Sequence, residues 1–382
     1  MLNKTGTRLS AALLGYVILI ILLLTLNPFY LAWPTRFIIT VQSDLSNLIA
    51  NILLFLPLGF FYRLTVRRRG AFLLGAAISF SIELAQLFLP ARTPSVVDIL
   101  ANTFGSGTGA LLYDLISAHI ILTQGMVGRL RLETPVMGLV YLLAPLLWVD
   151  ALILGDSPNR WILTLLIGLY GAIVFSEMFQ HWWETIDYQI RAYAALAAGK
   201  WFFLGTGPAL LYPLLPIITL GLGIMLLTAT LTALPQKSNE RRFERATLKR
   251  IFPVFGLYLL LLALWHPLHP LRTWHVALGF TDRITETSMQ VLYPRIEYLV
   301  AFTVLGHLLA EWRGRSETPL PQDLPRLFLN SFGTALAIEF LVGFQSEPGA
   351  SLIRVIMVLI SALFGGMIYH LLRAHIRFLL GR

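Results

Sequence analysis

The chain has 382 residues, 57% of them apolar and only 13% charged, with a mean hydropathy of +0.73, whereas a soluble domain sits near about half apolar and a quarter charged. Its net charge of +9 falls in short clusters between apolar runs, not as a stripe on a polar domain, which excludes a nucleic-acid binder. The absence of cysteine excludes disulfides, thiolate metal sites and cysteine nucleophiles.

Long apolar runs such as Ala11 to Leu26 lack the alternation of a barrel strand, so the backbone polar groups must be satisfied within helices. The expected fold class is all-α, a polytopic helical membrane protein of about a dozen transmembrane helices. In chain order the runs are Leu9 to Asn27, Ser46 to Tyr62, Ala71 to Leu89, Val96 to Ile116, Pro135 to Leu154 and Trp161 to Met178. They continue with Tyr193 to Tyr212, Leu214 to Leu234, Ile251 to His266, Ile296 to Trp312, Leu327 to Phe344 and Leu352 to Leu372. The seventh contains Lys200, Gly205, Gly207 and Pro208, which reads as a broken or re-entrant helix sheltered by protein.

Basic residues set the orientation. Lys4 and Arg8, Arg67 to Arg69, Arg129 and Arg131, the cluster from Lys237 to Arg250, Arg313 and Arg315, and Arg373, Arg377 and Arg382 all become cytoplasmic if both termini are inside. No small-residue cleavage site precedes Asn27-Pro28, so the first run reads as a retained anchor.

The chain also repeats itself. Glu83 falls over Glu339, Phe88 over Phe344, Ser95 over Ser351, Gly109 over Gly365 and Tyr113 over Tyr369, since 339 − 83 and 365 − 109 both give 256. Phe55 and Gly59 fall over Phe302 and Gly306 at an offset of 247. Two four-helix modules flanking a central helical insert are expected, as a parallel repeat. The boundaries are 1–125 for the first module, 126–235 for the insert, 236–250 for a basic cytoplasmic loop and 251–382 for the second module.

Polar residues inside spans cost a few kcal/mol each when charged, so their positions carry the most information. Asn47 and Asn51 share a face of the second span, Glu83 and Gln86 of the third, and Asp98 and Asn102 of the fourth. The turn from Pro90 to Pro94 ends one helix before the next and leaves Arg92 at the membrane surface. From the helical rise, Glu83, Asn51 and Asn102 lie about 10 to 12 Å below that turn and Gln86 and Asp98 about 6 Å below it. A carboxylate and amide layer on the outer side is expected, with Arg92 as counter-ion. Ala101, Gly105 and Gly109 would admit a neighbouring backbone, and Pro57 would kink the second span beside Gly59.

The runs Asn51 to Phe60 (NILLFLPLGF) and Ser81 to Gln86 (SIELAQ), then Arg92, then Asp98 to Gly105 (DILANTFG) with Gly109, resemble the signature of VanZ-like proteins over roughly residues 9 to 120. The resemblance implies a small multi-span protein of the bacterial inner (plasma) membrane. The family's founding member is associated with teicoplanin-type glycopeptide resistance, and other members occur with cell-envelope or exopolysaccharide genes. It implies no established reaction. The second module departs from the pattern: Val342 replaces Gln86, Pro348 replaces Arg92, Arg354 replaces Asp98 and Val358 replaces Asn102. It is therefore expected to be a degenerate copy without the site, in which Arg354 pairs with Glu339.

Competing readings attach to each feature. The Glu83, Arg92 and Asp98 group also fits a structural ion network. Glu177, His181 and Glu184 share a face but sit beside Trp182 and Trp183 at an interface, and His266, His269 and His275 lack carboxylate partners; no metal and no cofactor is expected from either. The leading expectation is a non-catalytic envelope protein whose outward pocket binds the head group of a lipid-linked cell-wall or polysaccharide precursor, or a membrane-anchored drug, with membrane lipids as its other partner. A transporter or flippase is the alternative. An intramembrane enzyme using Glu83 and Asp98 ranks third, because no nucleophile or metal motif accompanies them.

Overall fold

A computed structural model of the chain describes residues 4–26, 32–34, 39–41, 45–66, 70–90, 92–119, 142–154, 160–182, 186–211, 214–234, 243–264, 274, 276–277, 289–313, 318–345 and 349–379. The described residues form α1 (Lys4–Leu26), α2 (Leu45–Val66), α3 (Ala71–Gln86), α4 (Val96–His119), α5 (Ala144–Leu154) and α6 (Trp161–Trp182). They continue as α7 (Tyr188–Gly205), a 3₁₀ turn (Gly207–Leu211), α8 (Leu214–Ala233), α9 (Phe243–Ala263), α10 (Met289–Arg313), α11 (Leu320–Val342) and α12 (Leu352–Leu379). Two short parallel strands, β1 (Val276–Ala277) and β2 (Ala350–Ser351), are the other named elements.

The protein is thus all-helical in architecture and membrane-type in composition. Among the described residues, five helices are long and apolar enough to cross a membrane, α1, α2, α6, α8 and α12, while α3 and α5 are apolar but shorter. The sequence reading gave about a dozen spans. The difference has a physical source: helices such as α10 turn Glu297, His307 and Glu311 into the protein interior, and a helix shielded by its neighbours need not be apolar all round. The breakers of the seventh segment act at its end, since α7 runs unbroken through Lys200 to Gly205 before tightening into the 3₁₀ turn. The stretch read as a basic loop over 236–250 is helical from Phe243 onward.

The chain divides into two compact units. Unit 1 comprises 1–127 with 283–292 and 371–382, and unit 2 comprises 128–282 with 293–370. In unit 1, Ile21, Phe55, Leu58 and Ile82 from α1, α2 and α3 form a fully buried core. The α2–α4 contact is the tightest: a Cβ on Gly59 would collide with the Ser106 carbonyl, one on Gly105 with that of Ile52, and one on Gly109 with that of Leu56. Absent side chains therefore bring the two backbones together. Pro57 lies within α2, five residues after Gly105's neighbour Ile52 and two before Gly59. At the far end Arg63 and Asp114 form an ion pair at 2.8 Å.

Within unit 2, a Cβ on Gly306 would collide with the Ala362 carbonyl, and one on Gly365 with that of Thr303. Gly59 and Leu56 precede Gly306 and Thr303 by 247, and Ser106 and Gly109 precede Ala362 and Gly365 by 256. The insert helices α5 to α8 pack through small residues against large ones, with Gly171 against Trp201, Gly205 against Leu147 and Gly221 against Phe203.

Candidate functional site

In unit 1 the polar residues gather where α3 gives way to α4. Glu83 is 6% exposed, and its carboxylate accepts a hydrogen bond of 2.8 Å from the Ser95 backbone N–H. Ser95 immediately precedes α4, so Glu83 satisfies an amide at the helix entrance and places negative charge at the positive end of the helix dipole. The α1–α2 connection braces the same turn: Thr40 N–H donates to Pro94 O at 2.9 Å and Val96 N–H to Thr40 O at 3.2 Å.

The opposite end of a helix explains two more side chains. Gln86 Nε2 donates to Thr25 O at 3.0 Å, and Arg92 reaches Leu24 O at 3.5 Å. Both carbonyls belong to the last turn of α1, where intrahelical donors run out, and a cation there also complements the dipole. Arg92 and Asp98 lie close enough to Glu83 for their charges to act on it, so the expected charged group is assembled. Gln86 turns toward α1 and bonds there, an allocation the two-layer picture did not contain.

The amides are used differently again. Asn47 Nδ2 approaches Asp98 Oδ1 at 3.4 Å on the exposed side of α2 and α4. Asn102 is 2% exposed and donates to Ser79 Oγ at 2.9 Å. Among the described residues, three buried polar atoms in this region have no hydrogen-bond partner: Asn51 Nδ2, Ser95 Oγ and Asn102 Oδ1. Since nearly all buried polar groups are paired, their coincidence on α2 and at the entrance and second turn of α4 marks unmet hydrogen-bonding capacity.

Sequence reasoning passed over Ser79, Ser95, Ser106, Thr25 and Thr40. Signals for two of them existed: Ser79 lies four residues before Glu83 on the same face, and Ser95 occupies a cap position before an apolar run. Ser106, four residues after Asn102, donates to Ala71 O at 2.8 Å and secures the other end of α3.

Unit 2 places Glu339 in the corresponding role, accepting from Ser351 N–H at 2.7 Å. Arg354 grips the same carboxylate with two hydrogen bonds of 2.8 Å each, the pairing expected from its replacement of the Asp98 position. Glu177 pairs with Arg250 across α6 and α9. The side chains of His181 and Glu184 lie outside the described residues, as do His266, His269 and His275. A buried group of Asp150, Arg160 and Glu297 was also missed, although an acid within an apolar run is itself a signal.

Together these observations define a helical membrane protein whose first unit carries a polar layer among α1 to α4. The VanZ/LLP1 family model matches residues 7–117, so this amino-terminal module is VanZ-like. No curated protein and no solved structure matches the chain.

Proposed function

We propose that the protein is a cell-envelope component of the bacterial inner membrane, with both termini cytoplasmic, that binds the polar head group of a lipid-linked glycan, or a glycopeptide-type ligand, at the α3–α4 end of unit 1. The observation that carries this reading is the set of unpartnered buried atoms, Asn51 Nδ2, Ser95 Oγ and Asn102 Oδ1, behind the more exposed Asn47–Asp98 pair. An amide donor, an amide acceptor and a hydroxyl are the complement of a sugar or peptide head group, which presents alternating hydroxyl and amide functions. The VanZ-like match over 7–117 is consistent with an envelope role.

Purified protein is expected to retain an undecaprenyl-linked disaccharide-pentapeptide lipid in a vesicle flotation assay, and Asp98→Ala to lower the apparent affinity by at least tenfold, about 1.4 kcal/mol. Equal retention by wild type and variant would remove the assignment. Glu83→Gln is expected to weaken binding less than Asp98→Ala, because its carboxylate is already committed to Ser95.

A transporter or flippase is the second reading, supported by the recurrence of the α2–α4 glycine contacts between α10 and α12 and of the Glu83–Ser95 bond as Glu339–Ser351. Two copies of one module related by an internal repeat would give the pseudo-symmetric frame on which alternating access is built. Reconstituted vesicles that retain a labelled lipid-linked glycan but never move it between leaflets under any ion gradient would restrict the function to binding.

A further inference from the structure

Unit 2 buries a second polar cluster, on which neither functional reading depends. Asp150 on α5, Thr164 on α6, Tyr258 on α9 and Glu297 on α10 are each 0% exposed, and Arg160, just before α6, is 5% exposed. Arg160 donates to Glu297 Oε2 at 2.6 Å and the Tyr258 hydroxyl to Glu297 Oε1 at 3.0 Å. The Thr164 hydroxyl donates to Asp150 Oδ2. Asp150 Oδ1 has no hydrogen-bond donor among the described residues, and the Asp150 and Glu297 carboxyls lie close enough for their charges to act on each other. Tyr298 on α10 lies within electrostatic range of Glu297 and Arg160 and of the Glu339–Arg354 pair contributed by α11 and α12.

Two facts about this cluster converge. A carboxylate has only acceptors, so the buried Asp150 Oδ1, with no donor among the described residues and a second acid beside it, is satisfied when one of the two acids carries a proton. Independently, among the described residues the charged groups acting on one another here are three carboxyls (Asp150, Glu297, Glu339) and two guanidiniums (Arg160, Arg354), with Tyr258 and Tyr298 the other ionisable groups. Among the described residues Arg354 is held bidentately by Glu339, and Arg160 is the cation that pairs with Glu297 and acts on Asp150, one positive charge against two acids. With Asp150 and Glu297 fully buried and Arg160 nearly so, the surplus negative charge has no solvent to stabilise it. The tyrosine and threonine donate hydrogen bonds but carry no positive charge.

We infer that Asp150 and Glu297 form a proton-binding site, holding a single proton between their carboxyls with Arg160 as the fixed counter-charge. No covalent chemistry is involved: the ligand is the proton, taken up from water and returned to it. Loss of that proton would put two anions side by side at the meeting point of α5, α6, α9 and α10, so its occupancy controls the packing of these helices. The site would make unit 2 responsive to proton availability whether unit 1 binds, moves or ignores a glycan.

The test is infrared spectroscopy of the purified full chain at neutral pH, reading the carbonyl stretch of protonated carboxylic acid. The wild type is expected to show this band, and both Asp150→Asn and Glu297→Gln to lose a component of it. Each amide can donate in place of the shared proton while the remaining acid pairs with Arg160 as a carboxylate. A wild type with no such band, or a band unchanged in either variant, overturns the inference. Should a variant fail to fold, labelling wild type with carboxyl-13C aspartate and, separately, glutamate replaces it. A shift of the band in either preparation supports the site, and no shift in both overturns it.

Discussion

Gly59→Ala is expected to be the most damaging single-methyl change in unit 1, lowering stability by about 3 kcal/mol or more, the upper end of overpacking effects. The added Cβ would land on the carbonyl oxygen of Ser106, a backbone atom of α4 that no rotamer change can move aside. Accommodation would require α2 and α4 to separate along their length, loosening the neighbouring contacts at Gly105 and Gly109. Gly15→Ala is the control: nothing lies within 4 Å of its Cβ position in α1, and alanine is the better helix former. The measurement is thermal unfolding of both variants in the same detergent. Equal midpoints would show that the close approach of α2 and α4 is not what the structure describes.

Glu339→Ala is expected to cost about 3 to 5 kcal/mol, the range for breaking a buried ion pair from one side. The substitution would take away the carboxylate that holds the Arg354 guanidinium, whose side chain is 15% exposed, and the acceptor of the Ser351 N–H together. Glu83→Ala should cost less, about 1 to 3 kcal/mol, because a single buried amide loses its acceptor. Adding Arg354→Met to Glu339→Ala should recover most of the loss, since removing both partners of a buried pair is often close to neutral. A double-mutant cycle read by thermal unfolding checks both expectations, and additive losses from Glu339→Ala and Arg354→Met would refute the pairing. The contrast arises because Arg354 stands fifteen residues after Glu339 where Asp98 stands fifteen after Glu83, so that the Glu339 carboxylate accepts from a backbone N–H and also anchors an ion pair.

Much of this was visible in the sequence because hydrocarbon-facing helices leave few ambiguities. Each of the twelve apolar runs overlaps a described helix, the fifth only from Ala144 onward, and boundaries shifted mainly where polar residues extend a helix beyond its apolar stretch. Thus α9 begins at Phe243, eight residues before the apolar run at Ile251. The small residues on the fourth span read as a surface for backbone approach, and Gly105 and Gly109 lie against the α2 backbone at Ile52 and Leu56. The pairing of Arg354 with Glu339 was also legible, because a charge that appears opposite an acid in a low-dielectric setting needs a partner.

The polar layer was legible only in outline. Helical spacing places Glu83 with Gln86 and Asp98 with Asn102 on shared faces, but a shared face does not say which neighbour receives the side chain. Gln86 and Arg92 find carbonyls of α1, sixty or more residues away in sequence. Glu83 finds a backbone N–H, a donor every residue carries and no sequence pattern reveals. Asp150 and Glu297 are separated by 147 positions (297 − 150) and share no motif.

Composition and hydropathy by themselves determined that this is a helical membrane protein. The ordered elements Asn51, Pro57, Gly59, Glu83, Gln86, Arg92, Asp98, Asn102, Gly105 and Gly109 marked its VanZ-like module, because transfer energy and helical periodicity act locally along the chain. Tertiary structure alone decided which polar groups are satisfied by helix ends, which remain open on α2 and α4, and which acids of unit 2 meet around Arg160. Hydrogen bonds are short-ranged and directional, so their partners are set by the packing of distant helices.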